Sequence, residues 1–350
     1  MCNIAGYIGI KDAAPILAQM MKKQEGYGGG YYTGITTHDG TNMHSCKVIG
    51  DMQNLLNETD FLTFPGTMGF LHSRSKSGGG VEWGQPYTSS DNKVSYIANG
   101  AAGCFNTDAM QQIRCERALQ LEKLGFNFRS RVEGAVGRYP RLSDGTAIHT
   151  SDIMCQDISN NINNGDSVAA AMSKTFSELP IEAVGLVIYQ NEPDKIFVTR
   201  VNYPMMIGVA KNGDTYLATT AIAFPDDVEF RYIEPLPHSA TCEVYRGGYR
   251  VTSDCVAIDN VAPITADIWN KAYTRVVDIL SSHDKPHYSV EKLINSCADI
   301  WKKGTIPQGA MLVYEILRSL MAQDRIQIEY VETDGAFEGY TTNSFCVKLK

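Results

Sequence analysis

The chain has 350 residues, 43% of them hydrophobic and 20% charged, with a formal net charge of -8. That balance belongs to a globular chain with enough apolar material for a large core and enough length for two domains. The acidic excess argues against nucleic acid or an acidic membrane surface as a partner, and no run of about eighteen apolar residues offers a membrane span. Lys11 follows the first apolar run, whereas a secretory signal carries its positive charge ahead of it, so the expected location is the cytoplasm. Nine cysteines, an odd number without any C-x-x-C pair, read as reduced and mostly buried thiols and not as a disulfide framework or zinc site. Among seven histidines only His283 and His287 have the spacing of two ligands on one helix face, and Pro286 between them breaks such a helix. They read as a polar loop, and neither a metal nor a cofactor is expected.

In chain order, Ile4, Gly6, Ile8 and Ile10 alternate with Asn3, Ala5, Tyr7 and Gly9, the pattern of a buried strand. Residues 12–24 carry Ile16, Leu17, Met20 and Met21 at helical spacing behind Asp12 as a cap. Gly26-Tyr27-Gly28-Gly29-Gly30 lacks the lysine and the context of a phosphate loop and reads as a mobile substrate-side loop. Strands are predicted at 34–37, 66–73 and 94–98. A helix follows at 107–124, with Met110, Ile113, Ala118, Leu121 and Leu124 on one face. Two more helices span 151–164, capped by Ser151, and 167–178. A run of strands comes next, at 183–189, 195–199, 205–210 and 215–219, then 242–245 and 249–252. Asn212-Gly213 and Gly247-Gly248 supply hairpin turns. After about residue 260 the pattern turns helical, at 263–280, 289–303 and 307–321, before a hairpin of 326–332 and 344–349. Residues 261–350 hold 10 Lys+Arg against 11 Asp+Glu, which lacks the basic excess of a DNA-reading wing and fits a docking or oligomerisation module.

Chemistry concentrates at Cys2. The initiator methionine is normally trimmed ahead of so small a residue, which leaves a thiol and a free α-amine together. An α-amine titrates at about 7.7–8.0 and can act as a base, and a thiol needs little activation as a nucleophile. Position alone favours a cysteine buried as a small hydrophobe.

The string Cys2-Asn3-Ile4-Ala5-Gly6-Tyr7 resembles the mature N-terminus of class II glutamine amidotransferases, with Asn3 in place of a glycine. The resemblance extends through about two-thirds of the chain. His72-Ser73-Arg74-Ser75-Lys76-Ser77-Gly78-Gly79 is similar to the family's His-Thr-Arg-Trp-Ala-Thr-His-Gly. It implies that Arg74 holds the substrate α-carboxylate, as a planar guanidinium does bidentately, and that Ser77 keeps the hydroxyl of a substrate-contacting threonine. Asn99-Gly100 matches the pair whose side-chain amide and backbone N–H form the oxyanion hole, although Asn-Gly alone also suits a hairpin turn. His149-Thr150-Ser151-Asp152-Ile153-Met154 is similar to an acidic motif, Ser-x-Thr-Asp-Thr-Glu, at a helix start. Asp152 is expected to pair with the α-ammonium of glutamine, while it or Ser151 also suits a helix cap.

Ser75 replaces a tryptophan that helps close the ammonia path in the sugar-synthesising members, Gly78 replaces a histidine, and Gln85-Pro86 stands where those members have His-Pro. The family's Arg-Gly-x-Asp-Ser-Ala-Gly appears only as Gly28-Gly29-Gly30-Tyr31-Tyr32-Thr33-Gly34. The resemblance implies an α+β fold, the four-layer α-β-β-α sandwich of N-terminal nucleophile hydrolases. Residues 2–260 would form the glutaminase domain and 261–350 a small helical, winged-helix-like module. It also implies hydrolysis of glutamine or a related small amide, without a cofactor. The 90 or so residues after 260 are too few for a synthase domain, so a separate acceptor subunit or a free-standing amidohydrolase is expected. A non-catalytic glutamine sensor is the alternative.

Overall fold

A computed structural model describes residues 2–75, 79–134, 137–256, 263–282, 288–300 and 309–350. Ser77, the His283/His287 pair and the expected domain boundary lie outside the described residues.

In the first half, strand β1 (Asn3–Ile8) leads into helix α1 (Ala13–Lys22), then β2 (Tyr32–His38), β3 (Met43–Ile49), α2 (Met52–Glu58) and β4 (Met68–Arg74). β5 (Tyr87–Thr88) and β6 (Val94–Ala101) precede three helices, α3 (Asp108–Lys123), α4 (Thr150–Asn163) and α5 (Val168–Glu178). Strands β7 (Glu182–Tyr189), β8 (Lys195–Arg200), β9 (Met206–Ala210), β10 (Thr215–Ala218), β11 (Phe230–Pro235), β12 (Ala240–Tyr245) and β13 (Gly248–Asp254) follow. The C-terminal part holds α6 (Ala266–Ser281), β14 (Tyr288–Ser289), α7 (Val290–Ser296), α8 (Gly309–Ala322), β15 (Ile326–Asp334) and β16 (Thr341–Leu349).

The strands build a seven-stranded sheet ordered β11-β9-β10-β1-β4-β2-β3 and a six-stranded sheet ordered β13-β12-β8-β7-β6-β5. They stack face to face through Ile4, Phe70, Ile97, Leu186, Val198 and Leu217. Outside the first sheet Leu17, Met20 and Met21 of α1 pack on Ala5, Tyr7 and Leu71. Outside the second, Met154 and Ile158 of α4 and Met172 and Phe176 of α5 pack on Tyr96, Val187 and Phe197. The layering is therefore α-β-β-α. The alternation along β1 is the reason: Ile4 and Ile8 face the second sheet while Ala5 and Tyr7 face α1, so every residue of the strand is buried. Burying an Ile or Tyr there contributes about 1.5–3 kcal/mol each.

Several local expectations change. α4 starts one residue earlier than predicted, and its cap is His149, whose Nδ1 accepts from Ser151 N–H at 3.1 Å; Ser151 is inside the helix. Asp12 sits at the cap position of α1, but its side chain makes no capping bond. In α3 the buried side chains are Arg114, Ala118 and Leu121, while Ile113 and Leu124 are exposed. β3, α2 and β11 were not predicted. The C-terminal helices pack on a three-stranded sheet, β14-β16-β15, in place of the two-stranded ribbon expected.

Candidate active site

β1 is the central strand of the first sheet, fourth from either end, and pairs with β4, Asn3 opposite Ser73. Cys2 therefore emerges beside the end of β4, where Arg74 and Ser75 follow. Ser75 N–H donates to Cys2 Sγ at 3.5 Å, and the Ser75 hydroxyl lies 3.6 Å from the sulfur. From the second sheet, Asn99 Oδ1 accepts the Cys2 N–H at 3.2 Å. Asn99-Gly100 is not a hairpin turn: β6 runs straight through it, pairing Asn99 with Val184 and Gly100 with Ala183. At Gly100 a Cβ would meet the Glu182 carbonyl at 2.3 Å, so only glycine fits so close to β7. Asn99 Nδ2 is buried without a partner among the described residues, on the side chain that meets Cys2.

Two side chains to which the sequence analysis assigned no role in the site position these groups. Gln85 brackets Ala98, its Oε1 accepting the Ala98 N–H at 2.5 Å and its Nε2 donating to the Ala98 carbonyl at 3.2 Å. His72 places Nε2 3.1 Å from the same carbonyl, while its Nδ1 is buried without a hydrogen-bond partner. Burial pushes the Cys2 thiol up, but His72, the Ser75 N–H and the chain's amino end outweigh it, and the thiol titrates at about 6. The signal for His72 was parity: it lies two residues before Arg74, on the same face of β4.

Arg74 is buried, with its guanidinium 5.0 Å from the Tyr32 ring centroid and 5.7 Å from that of Trp83. Trp83 is fixed by its Nε1–H donating to the Ser130 carbonyl at 2.7 Å, and Tyr139 packs on it with centroids 4.4 Å apart. His149, next to Tyr139, is held neutral chiefly by burial and then by the charge of Arg74. Together Cys2, Arg74, Ser75, Gln85, Gly100 and Tyr139 belong to the lining of a cavity of about 350 Å³.

Asp152 does not line that cavity. Its carboxylate accepts from Arg129 N–H at 2.6 Å, Ser130 N–H and Oγ at 2.8 Å each, and Gln156 Nε2 at 3.0 Å. The cause is helical geometry: two residues into α4 the side chain turns away from the cavity, and His149, Thr150 and Ser151 face it instead. The glycine-rich loop is also not free. Asn3 Nδ2 donates to the carbonyls of Gln24, Glu25 and Gly28, and Tyr27 is buried against Phe345. Among the described residues no cluster of side chains suits a metal ion, and no helix is long and apolar enough to cross a membrane.

The fold has counterparts among solved structures. Glutamine phosphoribosylpyrophosphate amidotransferase from B. subtilis superposes with a TM-score of 0.60 at 14% identity, over 85% of this chain and 64% of that one. A structure described as the allosteric regulatory enzyme of purine biosynthesis gives 0.58 at 15% identity, over 85% and 63%. By sequence, glutamine–fructose-6-phosphate aminotransferase (isomerizing) of Thermococcus kodakarensis is 24% identical over 226 residues, and that of Clostridium acetobutylicum 28% over 218. The chain is a relative of the class II glutamine amidotransferases. These matches cover 64% and 61% of the chain, which spans about a third of the relatives' length, 33% and 31%. No protein-family model matches it. The likeness accounts for the two stacked sheets.

Proposed function

We propose that the protein hydrolyses a side-chain carboxamide, glutamine in the first instance, through Cys2. The observation that carries this reading is the meeting at one cavity of a cysteine with a lowered thiol pKa and a buried guanidinium, with an unpartnered amide donor, Asn99 Nδ2, on the side chain that accepts the Cys2 N–H. Removal of Met1 frees the Cys2 α-amine, which takes the thiol proton directly or through water. The thiolate attacks the carboxamide carbon, and Asn99 Nδ2 and the Gly100 N–H stabilise the oxyanion. The amine protonates departing ammonia, and water then hydrolyses the thioester to the free acid. Arg74 holds the substrate carboxylate and Ser77 contacts the substrate from the adjoining segment.

In this reading the ammonia serves an acceptor enzyme on another chain. Residues 2–260 form the hydrolytic unit, and 261–350 a docking or oligomerisation module. The test is ammonia release from glutamine, with Cys2→Ala as control and mass spectrometry of the N-terminal peptide. Release that survives Cys2→Ala, or Met1 retained in active protein, would overturn the mechanism.

A further inference from the structure

Among the described residues, the charged side chains lining the Cys2 cavity are all cationic. Arg74, Arg114 and Arg138 contribute to its wall, and neither aspartate nor glutamate does. Arg138 is exposed and shares its charge with Asp108. Arg114 is different: it is buried, and its Nη2 donates only to neutral carbonyls, Phe105 at 3.2 Å and Pro180 at 2.9 Å. Its Nε is buried without a partner, and no carboxylate pairs with it among the described residues. Burial accordingly lowers its pKa. A buried guanidinium without a counter-ion is costly, and an anion entering the cavity relieves that cost.

The same wall is hostile to a free ammonium. The first turn of the 14-residue helix α4, with His149, Thr150 and Ser151, faces the cavity with its positive dipole end. Asp152, the one carboxylate in that turn, is saturated by Arg129, Ser130 and Gln156. The family motif Ser-x-Thr-Asp-Thr-Glu has two acids spaced by two, and this chain has one. Placing the motif's glutamate at Asp152 puts Thr150, a neutral residue on the cavity wall, where the ammonium-binding aspartate would stand.

We infer that the preferred substrate is an anionic carboxamide without a free α-ammonium, carrying a second carboxylate that Arg114 holds. Glutamines N-acylated by a dicarboxylic acid, such as N-succinyl-glutamine, belong to this class. The inference rests on the amide-hydrolase reading above and narrows its substrate. A glutamine zwitterion would bring its ammonium against like charge, whereas acylation removes that charge and a dicarboxylate completes the buried pair.

The experiment compares ammonia release from L-glutamine, glutaramate, N-acetyl-L-glutamine and N-succinyl-L-glutamine. The expected kcat/KM rises by about tenfold on loss of the ammonium, and by about tenfold again with the succinyl carboxylate. Glutamine equal to or better than the other three overturns the inference while leaving amide hydrolysis standing. If no amide is turned over, the hydrolase reading fails, and calorimetry on the Cys2→Ala protein decides the inference separately. Tighter binding of N-succinyl-glutamine than glutamine upholds it; equal, weaker or absent binding sinks it. Arg114→Gln is expected to raise KM for the succinyl compound by about tenfold with kcat within about twofold, and Arg114→Lys to recover part of the loss. An unchanged preference in both variants removes Arg114 from the role. Should Arg114→Gln not fold, the substrate panel on the native protein still decides.

Discussion

The most direct probe of the site is the titration of Cys2 with and without His72. In the folded protein burial opposes the thiolate, and His72 leads the interactions that favour it, giving a thiol pKa of about 6. At pH 7 such a thiol is about 90% ionised, against about 3% for an ordinary cysteine of pKa near 8.5. The thirtyfold gain in thiolate does not appear as a thirtyfold faster alkylation. A less basic thiolate is a weaker nucleophile, and a Brønsted slope of about 0.4–0.5 takes back about tenfold or more. The informative quantity is the midpoint of the pH profile. Iodoacetamide labelling of the Cys2 peptide, followed by mass spectrometry to separate it from the other eight cysteines, is expected to turn on near pH 6. In His72→Asn the Ala98 carbonyl keeps its bond from Gln85, so the strand geometry survives while the favourable partner is lost. Burial then dominates, and the midpoint is expected above about 8.5. A native midpoint at or above that value, or one that stays near 6 in the variant, refutes the assignment.

Three further outcomes are expected. Asn99→Ala should lower kcat by about 10²–10³ with KM changed less than about threefold, because Nδ2 meets the oxyanion and not the ground state; a loss carried by KM would exclude that role. Glu25 is raised from 4.5 to about 7, first by burial, against bonds from Ser73 and the Met52 N–H. Folding thus favours its protonated form. The contribution is complete below about pH 4.5 and lost as pH rises through about 7. Glu25→Gln should remove a decline of about 3 kcal/mol in unfolding free energy across that window, measured by denaturant titration, whereas parallel profiles for the two proteins would contradict it. Asp152→Ala strips the partner from three buried donors of Arg129 and Ser130 and should cost about 3 kcal/mol or more of stability. An unchanged melting temperature with a raised KM would instead return Asp152 to the substrate.

What the sequence revealed of this site follows strand geometry. Cys2, Arg74 and Asn99-Gly100 sit at strand ends, where a short motif fixes the side chain's direction and β-pairing fixes its neighbours. His72 and Arg114 were not singled out because their importance depends on what the second sheet and the 180–183 segment bring up against them. A helical stripe of residues 114, 118 and 121 is visible in the sequence, but an arginine on it reads as surface until its burial is known. Asp152 was assigned to substrate because a single acid can be set against either acid of a two-acid motif. Only the direction of its side chain from α4 distinguishes them.

Two departures from the family pattern, Asn3 and the glycine-rich stretch, lie beside β1 on the side of the C-terminal residues. Asn3, where a glycine is usual, uses its amide to collect three carbonyls of the 24–28 segment. Tyr27 in that segment is seated against Tyr314 of α8 and Phe345 of β16, with centroids 5.8 and 5.0 Å away. The glycine-rich stretch is therefore a bracket between the nucleophile's strand and the C-terminal helices, and its glycines serve close approach: at Gly26 a Cβ would meet the Phe345 ring at 1.9 Å. Ser75, in place of a tryptophan, lies on the boundary of both the Cys2 cavity and a second cavity of about 630 Å³ formed by this loop and the C-terminal part. Asn99, Gly100 and Arg74 stay as the family has them while the loop side is rebuilt around the C-terminal residues. The loop side can change without disturbing Cys2, Arg74 and Asn99 because these are held at the two stacked sheets and not by the loops.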